Sequence, residues 1–305
     1  MSDRRASAGK RDLDGVLILD KPPGISSNQA LQRVKRLLHA GKAGHCGSLD
    51  PMATGVLPIC LGQATRFSGY LLGADKTYRA RCRLGQTTTT ADAEGELTSE
   101  REVDVERSQI NDALAAFRGE IEQVPPMYSA LKHQGKRLYE LARAGLEVER
   151  PPRPVTVYRL ELIDYTAPVL EFEVACSKGT YVRSLAQDIG ETLGCGAHLI
   201  ALRRTEAQPF SIEQAFTLDT LETDVERGDF DSHLLPVWSA LEQFASLELD
   251  ADDSERIRQG KVLTPELPLT AGLYRLTSRN AQFIGLGEVT AEGRLKAKRL
   301  MNTAI

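Results

Sequence analysis

The sequence predicts an α+β fold followed by a small β-rich module. Three observations carry this expectation. Strand-like and helix-like runs mix without the regular repeat of a βαβ protein. Tyr78, Ala80, Cys82 and Leu84 alternate with Arg79, Arg81 and Arg83, a period of two that puts one strand face in a core and a basic face outside. From about residue 246, short runs at 272–276 and 282–287 alternate with turn residues. A chain of 305 residues, 41% hydrophobic, is long enough for one large domain or a large one with a small one.

Taken in order, residues 1–13 read as a disordered polar tail. Residues 15–19 read as a short buried strand. Ser26 or Ser27 can cap a helix whose apolar stripe is Ala30, Leu31, Val34, Leu37 and Leu38. Beyond the strand at 78–84, Ile110, Ala113, Leu114 and Phe117 suit one helix face. Leu138, Leu141 and Ala142 suit another, ended by Gly145. Pro151, Pro152 and Pro154 break the chain before strand-like runs at 155–163 and 170–176. Residues 180–193 read as a helix closed at Gly194, and 198–204 as a strand. No solenoid-type repeat is visible.

Net charge is −4, but it is unevenly placed. Residues 211–255 carry thirteen Asp/Glu against one Arg, a segment expected to be helical and to divide the chain. The rest is therefore +8, and residues 256–305 alone are +6. A phosphate backbone responds to the local surface, although charge runs also describe ordinary solvated faces. No apolar run approaches the roughly 20 residues of a membrane span. The polar start, residues 1–10, lacks the apolar core of a signal peptide, so a cytoplasmic location is expected. Cysteines at 46, 60, 82, 176 and 195 are odd in number and include no Cys-x-x-Cys, which reads as reduced thiols. The five histidines include no His-x-x-x-His pair, and no metal is implied.

The most informative stretch is Gly44-His45-Cys46-Gly47-Ser48-Leu49-Asp50-Pro51-Met52-Ala53-Thr54-Gly55. Its glycines permit tight turns or close approach, and Pro51 biases Asp50 toward an extended conformation. A carboxylate on a stiff loop beside the apolar Val56-Leu57 is a candidate acid. Asp-Pro also makes simple turns.

This stretch resembles the catalytic loop of the bacterial tRNA pseudouridine synthase B (TruB) family, which converts the uridine at position 55 of the tRNA T loop to pseudouridine. Further matches follow in order. They are Gly15-Val16-Leu17-Ile18-Leu19-Asp20-Lys21-Pro22-Pro23-Gly24, Lys76-Thr77-Tyr78 and Pro126-Met127-Tyr128-Ser129-Ala130-Leu131-Lys132. Then come Cys176-Ser177-Lys178-Gly179-Thr180-Tyr181-Val182-Arg183, and Gly194-Cys195-Gly196-Ala197-His198 leading to Leu202-Arg203-Arg204. The resemblance covers residues 14–210 well and the remainder more loosely.

The resemblance implies a catalytic domain at 14–245 around a mixed, mostly antiparallel sheet flanked by helices, and a PUA-like RNA-binding β domain at 246–305. It implies an isomerase without cofactor. Asp50 would be the nucleophile, Arg183 its carboxylate partner, and Tyr78 the residue stacking on the base. Tyr181 and Leu202 would line the pocket, and either could equally be ordinary core. His45 would fill the stack left by a flipped base. Lys21, with Pro22, would support the loop or approach RNA. Lys132, His133, Lys136 and Arg137, near Tyr128 and Tyr139, mix basic and aromatic residues as an RNA grip does. They fall in an RNA-clasping insertion at about 124–152, in which Gly135 would allow motion. Cys46 stands where Thr is expected, and Thr89 where many members have Asp, which leaves any contact of that Asp open.

The partner expected is the tRNA T arm, engaged by a monomer without membrane or guide RNA. Two alternatives differ in kind: a synthase acting on another RNA, and an RNA-folding chaperone for the tRNA elbow. Deleting residues 246–305 is expected to weaken RNA binding and flatten its salt dependence if the C-terminal charge contacts tRNA.

Overall fold

The computed structural model describes residues 10–265 and 267–302. Of the expected tail, residues 1–9 lie outside the described residues, and Arg11 N–H donates to His39 O at 2.8 Å. The chain opens with β1 (Gly15–Lys21), α1 (Ser27–Leu37), β2 (Ala43–His45), β3 (Thr54–Leu61), α2 (Ser68–Leu72) and β4 (Lys76–Leu84). A small hairpin, β5 (Gln86–Thr88) and β6 (Leu97–Glu100), leads to α3 (Arg107–Ala116) and β7 (Gly119–Gln123). Next come the two-residue strands β8 (Lys132–His133) and β9 (Lys136–Arg137), with α4 (Leu138–Arg143). Then follow β10 (Arg153–Thr166), β11 (Val169–Cys176), α5 (Val182–Thr192), β12 (Ala197–Ala207), β13 (Phe210–Ser211) and α6 (Leu218–Arg227). The C-terminal part holds β14 (Ser246–Leu249), α7 (Ala251–Arg258), β15 (Gly272–Ser278), β16 (Phe283–Val289) and β17 (Leu295–Leu300).

The large sheet runs β1-β3-β12-β4-β11-β10-β7, with β2 on β3 and β13 on β12. Its pairings are antiparallel apart from β3–β12, so it is mixed and mostly antiparallel as expected. In β4 the alternation is as read: Tyr78, Ala80, Cys82 and Leu84 are buried, and the three arginines between them exposed. Helix α1 starts at Ser26, whose hydroxyl accepts from Gln29 N–H while the Gln29 side chain accepts from Ser26 N–H.

Two expectations need correction. The helix read at 180–193 begins at Val182. The Thr180 hydroxyl donates to Ser177 O at 2.9 Å and closes a turn, leaving Tyr181 extended as the N-cap. The acidic segment is helical over much of its length, but it packs against β1 rather than standing apart as a divider. It contains α6, short helical turns at Phe230–His233 and Val237–Leu241, and the start of α7. Leu218, Leu221, Phe230, Val237 and Leu241 within it are buried. Backbone bonds tie it to β1: Phe216 N–H donates to Ile18 O at 3.0 Å, and Val16 and Leu235 exchange bonds at 2.9 Å. Apolar positions among the acids decide the packing, and the carboxylates stay on the outside.

The smaller sheet runs β14-β15-β16-β17 over a core of Leu249, Ile257, Leu263, Leu276, Ile284, Val289 and Leu295. It is not a separate bead. Leu286 is fully buried in a core shared with Val16, Phe67, Leu71, Phe210 and Val237, with Phe283 and Met301 packed against it. No described helix is long and apolar enough to cross a membrane.

Candidate active site

The loop between β2 and β3 is held at three points. The Ser27 hydroxyl, in the first turn of α1, donates to Leu49 O at 3.1 Å and accepts from Leu49 N–H at 2.8 Å. Gly24 N–H donates to Pro51 O at 2.9 Å. The Lys21 ammonium donates to Pro22 O, Ile25 O and Pro51 O at 2.8, 2.7 and 3.2 Å. Lys21 has no exposed surface, and burial pushes its pKa down to about 8, opposed by the Asp50 charge. The ammonium thus holds the loop backbone from a position with no exposed surface. At the end of the loop, Gly55 has φ +102°, and a Cβ there would lie 2.1 Å from Arg204 O. Only glycine lets β3 run that close beside β12.

Arg183, in the first turn of α5, is 4% exposed. Its Nε lies 2.9 Å from Asp50 Oδ2 and its Nη2 donates to Asp50 Oδ1 at 3.3 Å, a two-point grip. It also donates to Thr90 O at 3.0 Å and Tyr128 O at 2.7 Å, and Nη1 lies 3.4 Å from Asp92 Oδ2. The guanidinium is therefore fixed from four sides. The Asp50 side chain remains 39% exposed. Burial raises its pKa, the Arg183 charge opposes that rise, and Asp92 adds to it.

Leu49 and Ala53, flanking Asp50, share one core with Tyr78, Val182 and Leu202. Tyr78 is cross-strand from Arg204, and Leu202 from Ala80, on the paired strands β4 and β12. Burial pushes the Tyr78 hydroxyl pKa up. Tyr181 is half-buried, its backbone bracketed by the Gln123 amide at 2.7 and 3.1 Å. His45 is half-buried in β2, with a buried Nδ1 that has no hydrogen-bond partner. Burial and the Arg204 charge lower its pKa, so the ring is neutral near pH 7.

Lys132, Lys136 and Arg137 are not part of this cluster. They are exposed on the β8–β9 hairpin, and Arg137 donates to the Tyr139 hydroxyl at 3.1 Å. The hairpin is tied back through Tyr139 N–H to Ser129 O (3.1 Å), one residue from the carbonyl that Arg183 grips.

Sequence reasoning missed two residues. Asp92, 3% exposed, shares Arg183 with Asp50. It lies three residues after Thr89, the position where many family members have Asp. Its sequence signal was being the sole Asp between Asp75 and Asp104. Arg204, 1% exposed, donates through Nε to Val56 O at 2.7 Å and through Nη2 to Gly47 O at 3.0 Å. The five cysteines are free and buried.

Three family models match consecutive parts of the chain. They are TruB family pseudouridylate synthase (N terminal domain) at residues 35–182, tRNA pseudouridylate synthase B C-terminal domain at 183–242, and Pseudouridine synthase II TruB, C-terminal, at 245–301. The chain belongs to the TruB family. Curated TruB-family relatives match end to end. The tRNA pseudouridine synthase B of Pseudomonas aeruginosa (strain UCBPP-PA14) is 53% identical, covering 96% of this chain and 98% of the relative. That of Methylobacillus flagellatus is 51% identical over 97% of both. Among solved structures, an H/ACA RNP bound to a substrate RNA containing 2′-deoxyuridine matches with TM-score 0.74 and 27% identity, covering 95% of this chain and 85% of that one. A Cbf5-Nop10-Gar1 complex matches with TM-score 0.73 and 28% identity, over 94% and 84%. As a TruB-family pseudouridylate synthase the chain is an isomerase. Its reaction breaks the C1′–N1 bond of a uridine, turns the uracil and rejoins it through C5.

Proposed function

We propose that the chain converts the uridine at position 55 in the T loop of tRNA to pseudouridine, in the cytoplasm, as a monomer without guide RNA. The observation that carries the reading is the half-exposed Asp50 carboxylate gripped at two points by a buried Arg183. A nucleophile or anionic stabiliser at the reacting sugar or base must be ionised and oriented, and the guanidinium favours both. The tRNA specificity is supported by relatives named tRNA pseudouridine synthase B that match over 96% or more of this chain. The RNP structures are more distant, at 26–28% identity.

In this reading the target base flips out of the T loop, and the neutral His45 ring takes its place in the stack. Asp50 is the nucleophile. As C1′–N1 breaks, the bonding pair leaves with the uracil and the Asp50 carboxylate bonds C1′, to be displaced when C5 bonds there; N1 takes up a proton. The ring is held against Tyr78, Tyr181 and Leu202 while it turns, C5 bonds to C1′, and the C5 hydrogen leaves as a proton. Residues 14–245 form the catalytic unit, 124–152 the insertion that grips the T arm through Lys132, Lys136 and Arg137, and 246–305 an RNA-binding β domain.

Tritium release from unmodified tRNA carrying 5-tritiated uridine tests this. Wild type is expected to release one equivalent, at one site. Asp50→Asn is expected to release none while still binding tRNA. No release by wild type overturns the activity or the RNA assigned, and undiminished release by the variant overturns the role of Asp50.

A further inference from the structure

Arg204 is among the largest side chains with almost no exposed surface, and its two hydrogen-bond acceptors are backbone carbonyls rather than carboxylates. Those carbonyls belong to Gly47 and Val56, one on each side of Asp50. A single guanidinium therefore ties the entry of the catalytic loop to its exit. Arg204 is also the cross-strand partner of Tyr78 on β4 and of Gly55 on β3. Cross-strand partners project from the same face of the sheet, so the guanidinium backs the ring that faces the base.

A second cation lies beside it. Lys76 is 8% exposed and donates to the carbonyls of Leu72 and Ala74. Burial, then the Arg204 charge, pushes its pKa down to about 8. Two buried cations with no carboxylate partner among the described residues are costly, because carbonyl and hydroxyl dipoles replace hydration but do not neutralise charge. A neutral donor could tie two carbonyls without that cost. The charge fits a site in which negative charge develops: when C1′–N1 breaks, the uracil carries the bonding pair, and a fixed positive field costs no reorganisation at that moment.

We infer that Arg204 is a positioning residue of the reaction, which fixes the Asp50 loop at both ends and sets its charge behind Tyr78 where the detached uracil becomes anionic. The inference rests on the proposed synthase activity and concerns the same site.

Arg204→Lys keeps a charge but loses the two-point tie, and Arg204→Met loses both. Each is assayed in the full chain for thermal melting, tRNA affinity and single-turnover pseudouridine formation. With melting and affinity near wild type, the rate is expected to fall about tenfold in Arg204→Lys and about a hundredfold or more in Arg204→Met. A rate within about twofold of wild type in either folded variant, or a rate that simply follows melting or affinity, overturns the inference. Should Arg204→Met fail to fold, Arg204→Lys is combined with Tyr78→Phe. A double-variant loss smaller than the product of the single losses is expected, and strict multiplicativity overturns the inference. Wild-type turnover, measured alongside, keeps a failure of this role distinct from a failure of the activity itself.

Discussion

Asp50 sits between opposed influences, and each can be removed separately. Burial and Asp92 raise its pKa from 3.8, while Arg183 holds it down. A nucleophilic carboxylate must be ionised, so the acid limb of the single-turnover rate should follow this pKa. Arg183→Met removes the opposing charge and is expected to move the limb to higher pH. Asp92→Asn removes a like charge and is expected to move it to lower pH. Limbs that do not move would show that another group sets them. Lys21 is testable through stability. Its folded pKa of about 8 lies below the free value of 10.5, so the unfolded chain holds more protons between those values. The stability difference between wild type and Lys21→Met is therefore expected to rise with pH through that window, in wild type's favour, and to be flat well below it. Chemical denaturation at several pH values measures this.

The β8–β9 hairpin is exposed beside the site. Gly135 at its tip has φ +86°, and nothing lies within 4 Å of the Cβ that an alanine would add. Gly135→Ala therefore acts through backbone conformation alone, at about 1 kcal/mol. If the hairpin grips tRNA, the variant should bind tRNA more weakly and still turn over bound tRNA at the wild-type rate. Replacing Lys132 and Lys136 by Ala should weaken binding and reduce its salt slope by about 2, one per lost phosphate contact. Helix α5 shows the opposite behaviour. Its late start leaves Tyr181 extended at the N-cap, and Arg183, within the first turn, is carried into the core. Two residues of helix length decide that the Tyr181 backbone is extended while Arg183 is helical and buried.

At the scale of the molecule, the two sheets share an apolar core. Leu286 of β16 packs with Phe67 and Val237, and the Phe67 and Phe283 rings lie 5.7 Å apart edge to face. Leu286→Ala is expected to destabilise the whole chain by about 3 kcal/mol, seen as one cooperative shift in denaturation. Deleting residues 246–305 would uncover this core, so the resulting loss of binding would not report charge alone. A cleaner test reverses Lys296 and Arg299, exposed on the edge strand β17. Basic residues there also protect an edge from pairing with other chains. A fall in salt slope is the outcome expected of RNA contact, and an unchanged slope with new self-association that of edge protection.

The sequence by itself determined the elements whose pattern is local: the alternation of β4, the capped stripe of α1, the paired strands after the prolines, and the loop around Asp50. It also carried the family, because several motifs occur in one order. Only the tertiary structure decided what crosses distance. Asp92 reaches Arg183 from 91 residues away in sequence, and no local period marks it. Arg204 reads as one more basic residue until β12 is placed between β3 and β4. The acidic segment reads as a helical divider until its apolar residues find β1. Each of these depends on which strands become neighbours, a property of the folded chain that side-chain periodicity does not encode.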